Sequence, residues 1–508
     1  RALTAPLRKA WAGATSTPDL QREPDFLVLA LPSFVERAGS AARALAEASS
    51  DLLVQPTVRL GVTGLARSGK TVFTAALVHH LTGLHPLPAL RASQEGRLRR
   101  ARLVPQPDDD VPRFPYEEHF AALTQERRWP RSTDRISQLR LAVDYERKSG
   151  WRPGPANLMV DIVDYPGEWL LDLALIEQTY EGWSRETIAA AQRPGRAAVA
   201  APWLDVLRRL DPNQPLDEVV AERASDAFKT YLAAVRAGPE AVATTPPGRF
   251  LMPGDLAGSP ALTFAPLALT SPIAPDSLGG LMERRFEAYK SRVVTPFFRD
   301  HFQRIDRQIV LVDVLAAVDA GAAALAELED ALDRVLMSLN IGRNTLLSRL
   351  FAPRTDRIMF AATKADHLHH ASHDRLDALL RLLVARAMRR TEAAGARVGT
   401  VALASVRATR EVMVEEGGQA LRTVAGTPEA GEAIDGEIFD GETEAAIFPG
   451  ELPERPEAVL EGAVPPGSLR FPRFRPPRVP LDALGRPGRL PQIRLDRALE
   501  FLVGDRLA

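Results

Sequence analysis

Gly64-Leu65-Ala66-Arg67-Ser68-Gly69-Lys70-Thr71 lies between a short β-branched run, Val58-Arg59-Leu60-Gly61-Val62-Thr63, and an apolar stretch with helical spacing over residues 72–81. Strand, glycine-bearing loop and helix form the context in which the pattern GxxxxGK[ST] works as a phosphate loop. The glycines let the chain wrap so that successive backbone N–H groups, from Gly64, Ala66, Arg67, Ser68, Gly69 and on into Val72, point inward at phosphate oxygens. The following helix adds the positive end of its dipole. In this reading Lys70 reaches the outer phosphates and the Thr71 hydroxyl ligates Mg²⁺. An isolated match could be a chance glycine-containing loop, but here both flanking elements are present.

Working outward, strand-like and helical segments alternate, which predicts parallel βαβ units. Residues 139–145 and 157–163 form a strand pair about a hairpin apart, with turn signals at Ser149-Gly150 and Pro153-Gly154. Residues 308–314, 357–362 and 398–404 are three further strand patterns, with helices over 322–339 and 374–394 between them. The expected fold is α/β, a P-loop NTPase, and the strand-end motifs at 164–167, 363–366 and 405–407 give it a resemblance to the Ras-like G domain. Its sheet would be mostly parallel and doubly wound, with one antiparallel edge hairpin and a large α-helical insertion.

Three strand ends carry the remaining chemistry. Asp164-Tyr165-Pro166-Gly167 closes the strand ending at Val163. As the next strand-end acid after a phosphate loop, Asp164 can hold Mg²⁺ through water, and the Gly167 N–H can meet the terminal phosphate. Thr363-Lys364-Ala365-Asp366 follows a strand and resembles the [NT]KxD guanine motif of Ras-like GTPases. That resemblance implies that Asp366 accepts from the two guanine donors and that the Lys364 stem lies over the base. Adenine lacks such a donor pair, so a site of this kind discriminates strongly. Ser405-Val406-Arg407 resembles the weaker SAK loop of the same enzymes, with the Val406 N–H meeting guanine O6 and Arg in place of Lys.

Several assignments are looser. The switch threonine of such enzymes would fall at Thr133, with Ser132 as its neighbour and Arg127-Arg128-Trp129-Pro130-Arg131 bordering the phosphate. Thr133 would then join Thr71 and Asp164 around the metal. Ras-like enzymes place a water-orienting glutamine after the DxxG glycine, where this chain has Glu168. A glutamate accepts from water but repels phosphate, so hydrolysis is expected to be slow. His369 and His373 stand at helical spacing for a metal, yet no carboxylate-plus-His signature accompanies them; polar residues opening a helix account for them. The basic cluster Arg97, Arg99, Arg100 and Arg102 has no interleaved aromatic platform, so it reads as a solvated face and not a nucleic-acid site. Arg470 to Arg478 contains Phe471 and Phe474, which favour anchoring the tail to the domain over contact with a partner or membrane surface.

Composition sets the outer limits. The chain has 508 residues, a net charge of −1, 45% hydrophobic residues and no cysteine. A core of ordinary size is available, whereas disulfides, Fe–S clusters, thiolate zinc and thiol nucleophiles are excluded. No polycationic field draws the chain to nucleic acid. No apolar stretch approaches the ~18 residues that cross a bilayer, and the start lacks a signal-peptide pattern, so a cytoplasmic protein is expected. Peripheral contact at the inner membrane, through the N-terminal arm or basic tail, is the alternative location. The 64 basic residues comprise 58 arginines and 6 lysines. Two of those lysines are Lys70 and Lys364, positions where a slim ammonium is wanted in place of a broad planar guanidinium.

The expected organisation is an N-terminal helical arm (1–55) and a nucleotide-binding domain in three pieces (56–83, 132–170 and 306–410). An insertion precedes the switch region (84–131), and an α-helical subdomain occupies 171–305. A Pro-rich C-terminal extension (411–508) ends in a docking helix. Within that extension, residues 411–461 carry 14 acidic and 2 basic residues, and 462–494 carry 7 arginines and 1 aspartate, so it can fold back on itself by charge.

Nearly the whole chain resembles the YcjX-like family of P-loop GTPases. The resemblance rests on residues 61–73, on Asp-Tyr-Pro-Gly-Glu-Trp (164–169), Gly-Arg-Phe-Leu-Met-Pro-Gly-Asp (248–255), Phe-Ala-Pro-Leu (264–267), Ala-Thr-Lys-Ala-Asp-His (362–367) and the ending at 498–505. It implies GTP/GDP and Mg²⁺ as ligands, slow GTP hydrolysis by a nucleotide-controlled switch, bacterial cytoplasm, and association with envelope-stress systems through a protein effector. By the same pattern Glu168 belongs to the family. The rival readings are an ATP-dependent ATPase or kinase, and a scaffold that holds nucleotide without hydrolysing it.

Overall fold

The computed structural model describes residues 56–508 except 66, 132–134, 149–152, 238–244, 270–271, 340–354, 394, 417, 483–484 and 486. The N-terminal arm, Ala66, Ser132 and Thr133 therefore lie outside the described residues.

β-Branched and aliphatic runs form a seven-stranded sheet: β1 (Thr57–Gly64), β2 (Leu98–Val104), β3 (Ser137–Arg147), β4 (Gly154–Asp164), β5 (Arg307–Val312), β6 (Arg357–Ala362) and β7 (Arg397–Ala402). Their spatial order is β2-β3-β4-β1-β5-β6-β7. β4, β1, β5, β6 and β7 run parallel, while β2–β3 and β3–β4 pair antiparallel. The edge thus has one strand more than the expected hairpin. Leu98–Val104 reads as a charged surface, yet Arg102 pairs across the ladder with Asp144 and Arg99 with Glu146. Cross-strand ion pairs of this kind support an exposed edge strand and blunt it against further pairing.

Register decides where the site falls. Val62 lies opposite Asp164, Gly64 opposite Leu311, Val312 opposite Ala362, and Ala362 opposite Ala402. The C-terminal ends of β1, β4, β5, β6 and β7 therefore share one edge, where ligands bind in open α/β sheets. Every residue of β5 is buried, as a central parallel strand covered on both faces requires.

The helices include α1 (Lys70–Thr82), α2 (Glu168–Leu173), α3 (Glu218–Ala237), α4 (Leu278–Tyr289), α5 (Ala322–Leu339), α6 (His373–Leu383) and α7 (Leu495–Val503). α1 and α7 bury Phe73, Leu77, Leu81, Leu495, Leu499 and Leu502 in one core against the sheet. α5 and α6 fill a second core with Leu325, Leu332, Leu376 and Leu380. A third core, running from Val163 to Ile305, belongs to the helical stretch and includes Trp183, Trp203, Phe228, Phe264 and Phe286. The helical stretch after Gly167 is not continuous: Pro194 and Pro215 fall between separate helices, each lacking the N–H that a helix interior needs. Beyond β7, β8 (Arg410–Glu416), β9 (Gln419–Gly426) and β10 (Ala445–Ile447) form a small antiparallel sheet. The acidic and basic halves of the tail meet there, Arg473 with Glu432 and Arg475 with Glu442.

Candidate functional site

The loop after β1 is held by geometry that other residues could not adopt. A Cβ on Gly64 would lie 2.3 Å from the Leu311 carbonyl oxygen and 2.4 Å from Ser68 Oγ. Gly69 has φ 86°, in the left-handed region that favours glycine, and a Cβ there would meet nothing within 4 Å. Among the described residues, no atom lies where a side chain at Gly69 would project, and the first turn of α1 that follows carries no carboxylate. That is an anion-binding arrangement. Lys70 is 8% exposed, and its Nζ donates to the carbonyls of Gly64 at 2.8 Å and Leu65 at 3.4 Å. Buried Thr71 donates from Oγ1 to the Arg131 carbonyl at 3.5 Å, so the chain leading to residue 132 reaches the base of the loop.

Asp164 ends β4 and is buried. The Gly167 backbone lies against the loop itself: a Cβ there would be 1.9 Å from the Gly64 carbonyl oxygen. Any side chain at 167 would push the two loops apart. The Thr71 hydroxyl and the Asp164 carboxylate are hard oxygen donors, a set that fits Mg²⁺ and not a softer metal.

The residues after Gly167 connect to the helical stretch. Glu168 is 3% exposed, and its carboxylate lies 3.3 Å from Arg236 Nη2 on α3. A Cβ on Gly248 would be 2.3 Å from the Glu168 carbonyl oxygen. Asp172 accepts from the N–H groups of Gly248 at 2.6 Å and Arg249 at 3.3 Å, and from the Tyr289 hydroxyl at 2.5 Å. The Arg249 guanidinium stacks 3.4 Å over the Trp169 ring. Segments 164–169 and 248–255, separate blocks in the sequence, thus form one contact surface. Nothing local foretells it, because α3 and the 248–249 turn arrive from distant parts of the chain.

Burial pushes the Asp172 carboxyl up to about 6, against the lowering effect of its three donors. An unfolded aspartate titrates near 3.9, so the native state holds the proton more tightly. Its contribution to stability is therefore full below pH ~4 and is lost as pH rises toward 6, at a cost of about 3 kcal/mol. Asp172→Asn should gain melting temperature relative to the unaltered protein on going from pH 5 to pH 7.5. Parallel melting curves across that range would contradict this assignment.

At the end of β6, the Thr363 N–H donates to Val312 at 2.9 Å and the Ala365 N–H to Leu403 at 3.1 Å, pinning the loop between β5 and the end of β7. Lys364 has φ 60°, and its ammonium pairs with Asp313, the acid that closes β5. Buried Asp366 accepts from the Ala408 N–H at 2.8 Å, and the Thr409 hydroxyl donates to the Asp366 carbonyl. Ser405 and Val406 are buried beside it. The two loops are therefore one structure. Asp313 belongs to this site although no motif assigns it; its signal in the sequence is that it, too, is a strand-end acid.

The histidines after Asp366 do not share one site. His373 Nε2 lies 3.2 Å from the Leu368 carbonyl, and His369 and His370 instead gather on Glu411. His369 Nδ1 accepts the Ala371 N–H at 3.3 Å, and ligand atoms of His369, His370 and Glu411 lie within 4.8 Å of one another, close enough to hold a cation. His367 is half-buried, its ring edge-on to Phe471 and Phe474, and desolvation lowers its pKa. Phe474 is itself buried beside Val424 and Ile447, and its carbonyl accepts from Trp129 Nε1 at 2.6 Å. The tail thus runs from the Asp366 loop to the segment preceding residue 132. No helix among the described residues is long and apolar enough to cross a membrane.

Comparison with known proteins agrees with this architecture. The model of the YcjX-like family, DUF463, matches residues 58–507. The chain is 36% identical over 467 residues to a protein of Escherichia coli (strain K12) named Ras-like GTPase YcjX, covering 89% of this chain and 96% of that one. A protein of the same name from Shewanella oneidensis is 33% identical over 485 residues, covering 89% and 94%. The chain belongs to the YcjX-like family.

Proposed function

From that membership as premise, we propose that this protein binds guanine nucleotide and hydrolyses GTP to GDP and phosphate slowly, as a nucleotide-controlled switch. The observation that supports it most directly is the buried Asp366 carboxylate. It stands between the 363–366 and 405–408 loops, on the same sheet edge as the phosphate loop. A fixed carboxylate there accepts from the two donors of guanine and would be left unpaired against adenine. Lys70 and the loop N–H groups would hold the phosphates. Thr71 and Asp164 would hold Mg²⁺, which supplies charge neutralisation at the phosphates when bound. Thr133 is the proposed third metal-side residue.

The packing of Gly167 on Gly64, and of α2 on Gly248 and Tyr289, supports a route by which phosphate occupancy reaches the helical stretch. A protein effector reading that stretch, in the stress response that the family resemblance implies, is the partner we propose. The decisive measurement is the nucleotide that co-purifies with the full chain, followed by competition between GTP and ATP. Co-purified GDP or GTP, and displacement by GTP well below the concentration at which ATP competes, is expected. Equal competition by ATP would overturn the guanine assignment.

A further inference from the structure

Glu168 presents a physical problem. A carboxylate following Gly167 stands beside the place proposed for a polyphosphate, where its charge is repelled. It is 3% exposed, and among the described residues neither of its oxygens makes a hydrogen bond. A buried carboxylate without hydrogen bonds is costly unless a countercharge stands beside it. Its ion contact is Arg236 Nη2 at 3.3 Å, from the end of α3. The neighbouring charged groups are committed elsewhere: Asp172 to Gly248, Arg249 and Tyr289, and the Arg249 guanidinium to the face of Trp169.

Resting on the GTPase reading above, we propose that Arg236 is a positioning residue for hydrolysis: it lends Glu168 the countercharge that lets a glutamate orient the attacking water. The Glu168–Arg236 pair is neutral as a unit, as a glutamine would be, yet keeps two acceptor oxygens. Both oxygens are sealed from solvent as the side chain stands, and the 3.3 Å contact lacks hydrogen-bond alignment, so orienting a water requires the carboxylate to swing toward the loop while Arg236 stays within ion-pair range. In the step itself the water oxygen bonds to the terminal phosphorus as the bond to the bridging oxygen breaks. GTP⁴⁻ and water become GDP³⁻ and H₂PO₄⁻, both water protons leaving with the phosphate. Glu168 accepts a hydrogen bond from the water, and Arg236 touches neither water nor nucleotide. Because Arg236 belongs to the helical stretch, a movement of α3 would set the hydrolysis rate.

The test is single-turnover GTP hydrolysis with Mg²⁺, on the full chain, for the unaltered protein, Arg236→Ala, Arg236→Lys, Glu168→Gln and Arg236→Ala combined with Glu168→Gln. GDP affinity is measured on each. Arg236→Ala is expected to slow hydrolysis about 10- to 100-fold, within the span of a lost general-base contribution, with GDP affinity changed less than about 3-fold. Arg236→Lys should recover most of the rate, because it restores the countercharge. In the Glu168→Gln background, removing Arg236 should cost nothing further, since an amide needs no partner charge. The proposal is overturned if Arg236→Ala hydrolyses at the original rate, if its loss persists undiminished beside Glu168→Gln, or if Glu168→Gln itself abolishes hydrolysis. Failure of the unaltered protein to bind GDP or GTP, or binding without any hydrolysis, sinks the underlying reading instead, whereas an unaltered protein that hydrolyses GTP while Arg236→Ala keeps its rate sinks this inference alone.

Discussion

Lys70→Ala is expected to lower affinity for GDP and GTP by about 1,000-fold or more, roughly 4 kcal/mol, and to reduce phosphate release to background. The Lys70 ammonium is buried inside the loop, on the carbonyls of Gly64 and Leu65. Without it those two carbonyl dipoles face the phosphates unopposed, so the change replaces attraction by repulsion. Lys70→Arg should fail nearly as badly. A planar guanidinium is too broad for a loop in which even a Cβ on Gly64 meets Ser68 at 2.4 Å. The chain uses 58 arginines and 6 lysines, so a lysine retained here agrees with that steric demand. Both variants should melt within a few degrees of the unaltered protein without nucleotide, because among the described residues the ammonium bonds within its own loop. Calorimetric titration with GDP checks the pair, and normal binding by Lys70→Arg would remove the steric argument.

What could be read in advance depends on how local each signal is. The phosphate loop needs only eight residues with a strand before and a helix after, and β1 and α1 stand on either side of it. The acids and loops at the ends of β4, β6 and β7 are readable for the same reason, each following an apolar run. β2 is not, because Leu-Arg-Arg-Ala-Arg-Leu-Val becomes a strand only when Asp144 and Glu146 on β3 neutralise it. Arg236 lies in an ordinary amphipathic helix, and its pairing with Glu168 exists only after the helical stretch folds onto α2. The tail is intermediate. Its charge asymmetry hints that it folds back, whereas the Trp129 bond to Phe474 depends on how two distant loops meet. Side chains that act within one loop leave a pattern in the sequence; those that join two cores do not.

The base-reading side yields the other large effect. Asp366→Asn keeps an oxygen that can accept from the Ala408 N–H, the 2.8 Å bond that ties the two loops, so the scaffold survives. The amide nonetheless presents a donor where guanine offers donors. Two charge-assisted hydrogen bonds become one neutral bond and a donor–donor conflict, which should cost about 100- to 1,000-fold in GTP affinity. ATP, which never used the pair, should bind as weakly as before or slightly better. Asp366→Ala lacks even the Ala408 contact, so it should lose GTP as strongly and also melt earlier. The ratio of GTP to ATP affinity therefore separates recognition from folding: it collapses in both variants, while stability falls in only one. If the Asn variant kept its preference for GTP, the carboxylate would be a loop brace alone, and the base would have to be read by Ser405 and Val406.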